Sequence, residues 1–216
     1  MKTFDVDVFI PTLKNRTANL ICQIHTALNS DVKSRVTISI PDDDYPELMD
    51  QLTTQEKEKV RILKNVPQGE PSIPIKYCLE NYGWCDWIFN DADDDCLLPW
   101  GLKHLLEASQ NVSMVVGQII GVSRDKHYDF SSWKIGHSIT QCHISKILFH
   151  FPSLVKLPKP WLEINPVSDF IFAKRMADNF AYKIIPSVVS VAAFAELYDL
   201  GVDFESNFRL LYGSML

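Results

Sequence analysis

The chain of 216 residues contains no apolar run as long as the roughly 18 residues that a membrane-spanning helix needs. Near the N-terminus, Asp5 and Asp7 interrupt the apolar stretch that a signal peptide would require. Neither a Gly/Ser-rich linker nor an internal repeat is present. These absences predict a single domain over residues 1–216 that lies in the cytoplasm and does not insert into a membrane.

Cysteine pairs and an excess of positive charge are also lacking. The five cysteines are widely spaced without a Cys-x-x-Cys pair, so neither a zinc knuckle nor a disulfide framework is expected. The formal net charge is −6, whereas proteins that coat nucleic acid usually have a basic surface. A local basic groove is still compatible with the C-terminal half, which contains Lys156, Lys159, Lys174, Arg175 and Lys183.

Strand-like and helix-like segments alternate along most of the chain. The predicted strands cover 6–10, 35–40, 60–63, 84–89, 114–117, 183–186 and 188–191, and the predicted helices cover 17–28, 46–58, 72–81, 99–108, 166–181 and 204–216. This order predicts an α/β fold with a mainly parallel central sheet and helices on both faces. Ligands of such sheets bind beyond the carboxyl ends of the strands, where Asp42-Asp43 and the aspartates at 91–95 both fall.

Four aspartates occupy five consecutive positions directly after an apolar strand, in the segment Asp91-Ala92-Asp93-Asp94-Asp95. Like charges this close disfavour one another's ionisation, so packing does not explain them. A divalent cation removes the conflict, and Mg²⁺ commonly combines one or two carboxylates with phosphate oxygens. The segment therefore predicts a Mn²⁺ or Mg²⁺ site that binds a nucleotide diphosphate, with a solvated acidic turn as the alternative. A calcium loop of the EF-hand type is excluded because Cys96 and Leu102 stand where glycine and glutamate are required.

Four segments, in a fixed order, carry a family resemblance. They are residues 9–16 (Phe-Ile-Pro-Thr-Leu-Lys-Asn-Arg), 39–43 (Ser-Ile-Pro-Asp-Asp), 87–99, which contain the acidic run and a trailing proline, and 168–175 (Ser-Asp-Phe-Ile-Phe-Ala-Lys-Arg). Together they resemble the GT-A glycosyltransferases, most closely the large family 2. The resemblance implies a single GT-A (Rossmann-like) domain, with a nucleotide-sugar half over about 1–100 and an acceptor half over about 101–200.

The resemblance also implies roles for individual residues. Those implied to bind the nucleotide-sugar are Pro11, Thr12, Asn15, Arg16, Asp42, Lys76, Asp91 and Asp93. The metal pair is either Asp91 with Asp93 or Asp93 with Asp95. Asp169 matches the catalytic base of the family's Glu-Asp pair, of which only the aspartate is retained, and its alternative role is a helix cap. Trp161 and Glu163 are the implied acceptor-side residues.

The function that follows is metal-dependent, inverting transfer of a hexose or pentose from a nucleotide-diphosphate sugar to an acceptor hydroxyl. UDP is the favoured nucleotide because it is common in the family, and the acceptor is a glycan, a protein or a hydroxylated base in DNA. A nucleotidyltransferase is one alternative, although residues 11–16 lack the glycines of the usual phosphate loop. A non-catalytic module of the same fold that binds nucleotide-sugars or glycans is the other.

Overall fold

The computed structural model describes residues 5–12, 17–67, 72–93, 95–121, 147–157 and 168–192. The elements in these ranges are β1 (Val6–Pro11), α1 (Thr17–Leu28), β2 (Ser34–Ser39), α2 (Tyr45–Gln51), α3 (Thr54–Lys57), β3 (Val60–Leu63), α4 (Ser72–Asn81), β4 (Trp87–Asn90), β5 (Cys96–Leu97), α5 (Gly101–Ala108), β6 (Met114–Gly121), β7 (Ile147–His150), α6 (Phe151–Leu154), α7 (Ser168–Asn179) and β8 (Tyr182–Ala192). Among these helices, none has the length and apolar character needed to cross a membrane. The helix predicted over 204–216 lies outside the described residues.

The strands form one mixed sheet in the order β3-β2-β1-β4-β7-β6-β8-β5. β3, β2, β1 and β4 are mutually parallel, and β8 is parallel to β6. In contrast, β7 is antiparallel to β4 and β6, and β5 is antiparallel to β8. The prediction of a mainly parallel sheet is therefore wrong. The error arises because every antiparallel pair in the sheet involves β5 or β7. These two strands are short, and the alternation of strands and helices in the sequence does not reveal them.

A five-residue link, Asp91 to Asp95, joins β4 to β5 although these strands are four positions apart in the sheet. Four steps of about 4.8 Å would separate them by about 19 Å in a flat sheet. The link also contains a turn, in which Asp95 N donates to Ala92 O at 3.3 Å. The sheet must therefore curl, and the register shifts between β6 and β8 at Val116/Gln118 and Gln118/Ile119 increase its local twist.

Two groups of apolar side chains pack on opposite faces of the sheet, because successive strand residues point in opposite directions. On the first face, Val6, Val8 and Ile10 pack with buried residues of α1, α2 and α5. On the second face, Phe9 and Ile88 pack with buried residues of α4, α6 and α7. We call these groups the first core and the second core.

The four parallel strands define two edges of the sheet: they begin at the amino edge and end at the carboxyl edge. α1 leads from the carboxyl end of β1 back to the amino end of β2, so its first residue, Thr17, lies at the carboxyl edge. β8 is parallel to β6, and β6 has the direction of β4 because both are antiparallel to β7. α7 ends shortly before β8 begins, so the amino end of α7 also lies at the carboxyl edge.

The helix predicted over 46–58 is two helices, α2 and α3. Thr53 interrupts it because this residue caps a new helix: its hydroxyl accepts from Glu56 N, and the Glu56 carboxylate accepts from Thr53 N at 2.8 Å. This reciprocal capping satisfies backbone donors that the interior of a helix would pair differently. The two closing strands predicted over 183–191 are one strand, β8.

Candidate functional site

Hydrogen bonds between neighbouring strands hold three chain segments side by side at the carboxyl edge. Asp91 N donates to Phe9 O at 2.8 Å, which ties the residue after β4 to β1. Thr12 N donates to Ser39 O at 2.9 Å, which ties the residue after β1 to the end of β2. The segments after β2 and β4, which the sequence predicted to meet at one rim, therefore lie at the same edge, on either side of β1.

Three aspartates of the acidic link are buried at this edge. Asp91, Asp93 and Asp95 are 0%, 4% and 2% exposed. Ala92 N donates to Asp91 Oδ1 at 3.2 Å, which fixes the start of the link. A solvated acidic turn, the alternative from the sequence, does not describe these three residues; Asp94 lies outside the described part of the chain.

The donor atoms at this edge fit a hard divalent cation, because carboxylate oxygens are the ligands that Mg²⁺ and Mn²⁺ prefer. Among the residues that the structure describes, no three His, Cys, Asp or Glu side chains are grouped so that they could hold a metal ion. The fit is therefore to an ion that takes one or two protein carboxylates and completes its shell with phosphate oxygens and water, as Mg²⁺ commonly does. A cage made only of protein ligands is not formed by these residues.

The far end of the acidic link is anchored on β8 by the residues that lead into α5. Leu98 N donates to Val189 O and Trp100 Nε1 donates to Val188 O, both at 2.9 Å. Gly101 approaches β8 so closely that a β-carbon would lie 2.5 Å from Val189 O. A side chain at this position would push α5 away, so glycine is needed to hold the link in place.

Asp42 joins the ends of β2 and β3. Its Oδ1 accepts from Asn65 N at 3.2 Å, and Asn65 has a positive φ of 56°, an uncommon conformation for a residue other than glycine. Asp42 itself is exposed, so its carboxylate remains accessible to a ligand at the carboxyl edge. Lys76 is exposed as well, but it lies in the middle of α4 and not at the end of a strand. This helix packs against the second core.

The other predicted site residues are only partly described. Asp169 is the second residue of α7, so its backbone lies at the carboxyl edge; its side chain falls outside what the structure describes. Four of them lie outside the described residues, namely Asn15, Arg16, Trp161 and Glu163. Pro11 ends β1 and Thr12 follows it, both beside Ser39, the last residue of β2.

Buried neutral polar groups at the same edge were not recognised as a feature of the sequence. Asn90, the last residue of β4, is 1% exposed, and neither its Oδ1 nor its Nδ2 has a hydrogen-bond partner among the described residues. Within the same ranges, the hydroxyls of Thr12 and Thr17 are also buried without partners. The available signal for Asn90 was a polar residue that closes the apolar strand Trp-Ile-Phe-Asn.

At the amino edge, a buried carboxylate is fully paired. Asp7 is 0% exposed and accepts from Arg35 Nε and Nη2 at 2.7 Å each, from Thr37 Oγ1 at 3.0 Å and from Cys85 N at 2.7 Å. Burial raises the pKa of Asp7, but the hydrogen bonds from Arg35 and Cys85 and the charges of Arg35 and Arg61 outweigh it, so the pKa lies below its usual 3.8. We call Asp7, Arg35, Thr37 and Arg61 the amino-edge cluster.

Comparisons with known proteins identify the fold. Neither the protein-family models nor the curated sequences compared with this chain gave a match. The crystal structure of S. aureus TarS 1–349 matches with a TM-score of 0.65 and 13% identity, over 88% of this chain and 60% of that one. Its complex with UDP-GlcNAc matches with a TM-score of 0.65 and 12% identity, over 87% and 58%.

A mannosyltransferase, PcManGT from Pyrobaculum calidifontis in complex with GDP-Man and Mn²⁺, matches with a TM-score of 0.64 and 14% identity, over 89% of this chain and 57% of that one. Both proteins are glycosyltransferases of the GT-A type. The chain therefore has the GT-A fold, and the prediction of that fold is confirmed. It spans 60% and 57% of the length of these two chains, and 36% of the chain in a further crystal structure of S. aureus TarS.

Proposed function

We propose that this protein transfers a sugar from a nucleotide-diphosphate sugar to an acceptor hydroxyl, with Mn²⁺ or Mg²⁺ at the aspartates that follow β4. The observation that carries the proposal is the burial of Asp91, Asp93 and Asp95 at the carboxyl edge of a GT-A fold. Support also comes from the matched structures, which contain UDP-GlcNAc in one case and GDP-Man with Mn²⁺ in another.

In this proposal the donor occupies the carboxyl edge of β1, β2 and β4. Pro11, Thr12 and Asp42 form the side nearest the nucleoside, and Asp91 and Asp93 form the diphosphate side, with Asp95 as the alternative metal ligand. Asn15, Arg16 and Lys76 complete the donor-binding residues. A bound metal would neutralise the diphosphate and stabilise the charge that develops on the leaving nucleotide.

The acceptor approaches from the side of α7. Asp169, at the amino end of this helix, takes the proton from the acceptor hydroxyl. The acceptor oxygen then forms a bond to the anomeric carbon as the bond to the diphosphate oxygen breaks, which inverts the configuration. Trp161 and Glu163 contact the acceptor, which is a hydroxyl of a glycan, a protein or a modified DNA base.

Binding of the donor nucleotide is the first test. The thermal midpoint of the pure protein is measured with UDP, GDP, UDP-GlcNAc and GDP-mannose, each with and without Mn²⁺. A ligand at 100 times its Kd stabilises the native state by about 2.7 kcal/mol, which corresponds to a rise of about 5 to 10 °C for a domain of this size. We expect such a rise with at least one of these nucleotides, and only in the presence of Mn²⁺.

The matched variants are Asp93→Asn and Asp50→Asn. Asp93 is buried in the acidic link, whereas Asp50 is an exposed aspartate on α2. We expect Asp93→Asn to lose the Mn²⁺-dependent rise and Asp50→Asn to retain it. If none of the nucleotides raises the midpoint of the wild-type protein, the proposed function is wrong.

A further inference from the structure

The carboxamide of Asn90 occupies a position for which packing gives no reason. It pairs in register with Phe9 of β1 and precedes Asp91 directly. Asn90 follows Ile88 by two residues, so it points to the second-core face, on which α7 packs. Its two polar atoms are buried and have no partner in the described part of the chain.

Such a group lowers the stability of the folded protein. A buried donor or acceptor that loses its hydrogen bonds to water and gains none in the protein carries an uncompensated desolvation cost. A leucine of similar size would fill the same space without this cost, as Ile88 and Phe89 do earlier in the strand. A residue that is unfavourable for folding at this edge is more readily explained by a ligand that completes its hydrogen bonds.

The chemistry of the carboxamide narrows the class of ligand. Its Nδ2 donates and its Oδ1 accepts, so a full complement requires a partner that can do both. Phosphate oxygens only accept hydrogen bonds, and a metal ion would contact only Oδ1. Sugar hydroxyls both donate and accept. The ribose and the base of the nucleotide do so too, but the proposed function places them on the side of Pro11, Thr12 and Asp42. Moreover, Asn90 lies between the acidic link and the face that carries α7, where a transferred sugar must sit if the proposed function is correct.

We propose that Asn90 is a binding residue for the sugar of the donor, and this inference rests on the proposed function. Its carboxamide donates to one sugar hydroxyl and accepts from another or from the same group. Because the carboxamide is only 1% exposed, side chains at the carboxyl edge must repack when the donor binds. The nucleoside diphosphate alone makes no contact with Asn90.

The test separates sugar binding from nucleotide binding. Titration calorimetry in the presence of Mn²⁺ compares UDP with UDP-GlcNAc and GDP with GDP-mannose, for the wild type and Asn90→Leu. We expect the affinity of Asn90→Leu for the sugar nucleotide to fall about 10-fold, since two neutral hydrogen bonds are lost. Its affinity for the nucleoside diphosphate should stay within about 2-fold of the wild type, a change worth well under one hydrogen bond.

Thermal midpoints without ligand provide the second readout. We expect Asn90→Leu to raise the midpoint by about 2 to 4 °C, because the uncompensated polar group is removed. The matched control is Thr37→Val, at a residue that is equally buried but whose hydroxyl donates to Asp7 and accepts from Arg61 Nε at 3.1 Å. This control should lower the midpoint by a similar amount. Asn90→Ala, which adds no bulk, should show the same difference between sugar nucleotide and nucleotide.

Two results would overturn the role of Asn90 while leaving the proposed function intact. One is an equal loss of affinity for the nucleotide and the sugar nucleotide in both Asn90 variants. The other is an unchanged affinity for the sugar nucleotide. If the wild type itself binds none of these compounds, the proposed function fails, and the role of Asn90 fails with it.

Discussion

The two edges of the parallel strands contain buried polar groups of different kinds. At the amino edge, the carboxylate of Asp7 accepts four hydrogen bonds from groups of the protein. Within the described residues, Arg61 Nη2 is buried there without a hydrogen bond, but it lies 4.0 Å from this carboxylate and forms an ion pair with it. At the carboxyl edge, the carboxamide of Asn90 and the hydroxyl of Thr12 are buried to the same extent but have no partner among the described residues. Polar groups that the fold satisfies are explained by stability, whereas those that it leaves unsatisfied require another explanation.

The two edges also differ in charge. The amino-edge cluster combines one carboxylate with two guanidinium groups, those of Arg35 and Arg61, within 4.0 Å of Asp7. The carboxyl edge has three buried carboxylates within five residues. The first arrangement contains cationic partners for its carboxylate, and the second offers carboxylate oxygens of the kind that a divalent cation prefers. Mutations at the two edges should therefore act on different properties of the protein.

The largest effect is expected for Asp169→Asn at the carboxyl edge. A general base contributes about 10²- to 10⁴-fold to a rate, so release of nucleoside diphosphate from the sugar nucleotide should slow by such a factor. Its thermal midpoint and its affinity for the donor should stay close to those of the wild type. The comparison is made with Asp178→Asn, an exposed aspartate near the other end of the same helix, which pairs with Lys174.

The Asp178→Asn variant should turn over at the wild-type rate, because exposed ion pairs at this spacing contribute little to stability. A slow Asp178→Asn variant would mean that the integrity of α7, and not the carboxylate of Asp169, limits turnover. An unchanged rate in Asp169→Asn would remove the base from the proposed mechanism.

At the amino edge, Asp7→Asn should lower stability and leave the site intact. The asparagine removes the negative charge that offsets part of the positive charge of Arg35 and Arg61. Its NH₂ group also replaces one of the two oxygens that accept hydrogen bonds from Arg35, Thr37 and Cys85. Breaking a buried ion pair in this way costs about 3 kcal/mol, or a fall of about 6 to 12 °C in the thermal midpoint. Urea unfolding measures the loss of stability. Titration with the donor, at a temperature well below the thermal midpoint of the variant, measures binding.

The folded Asp7→Asn protein should bind the donor as tightly as the wild type does. A loss of donor affinity without a loss of stability would contradict the division between the two edges, because it would place the amino-edge cluster within the functional site.

Local patterns in the sequence predicted much of the fold. The bounds of α1, β3 and α4 agree with the predicted ranges because their apolar spacing and flanking residues are local signals. β7 was missed because four residues, Ile-Leu-Phe-His, give no periodicity that separates a strand from other buried segments. β5 has two residues and exists only because β8 pairs with it.

The candidate site was predictable to a similar degree. The acidic run is visible in the sequence, since its unusual charge density requires no knowledge of neighbours. The importance of Asp7 and Asn90 was not visible, because each depends on what surrounds it in space. Asp7 pairs in register with Arg35, which is 28 residues away, whereas Asn90 is distinguished by the lack of a hydrogen-bond partner within the described ranges. A sequence shows which residues are polar but not which of them the fold will satisfy.

The smallest predicted effect concerns acid and follows from the lowered pKa of Asp7. A carboxylate whose pKa is lower in the folded than in the unfolded protein stabilises the fold above its unfolded pKa, and this contribution is lost as the pH falls through the folded value. The unfolded value is 3.8. The difference in unfolding free energy between wild type and Asp7→Asn should be constant from pH 7 to about 5 and should narrow below 3.8, by at most about 1.4 kcal/mol per pH unit. Urea unfolding of both proteins across this pH range measures this difference in unfolding free energy.

A difference that stays constant below pH 3.8 would contradict the prediction. It would show that the hydrogen bonds and charges of the amino-edge cluster do not lower the pKa of Asp7, and that this edge is held by the shape of its side chains and not by its charge.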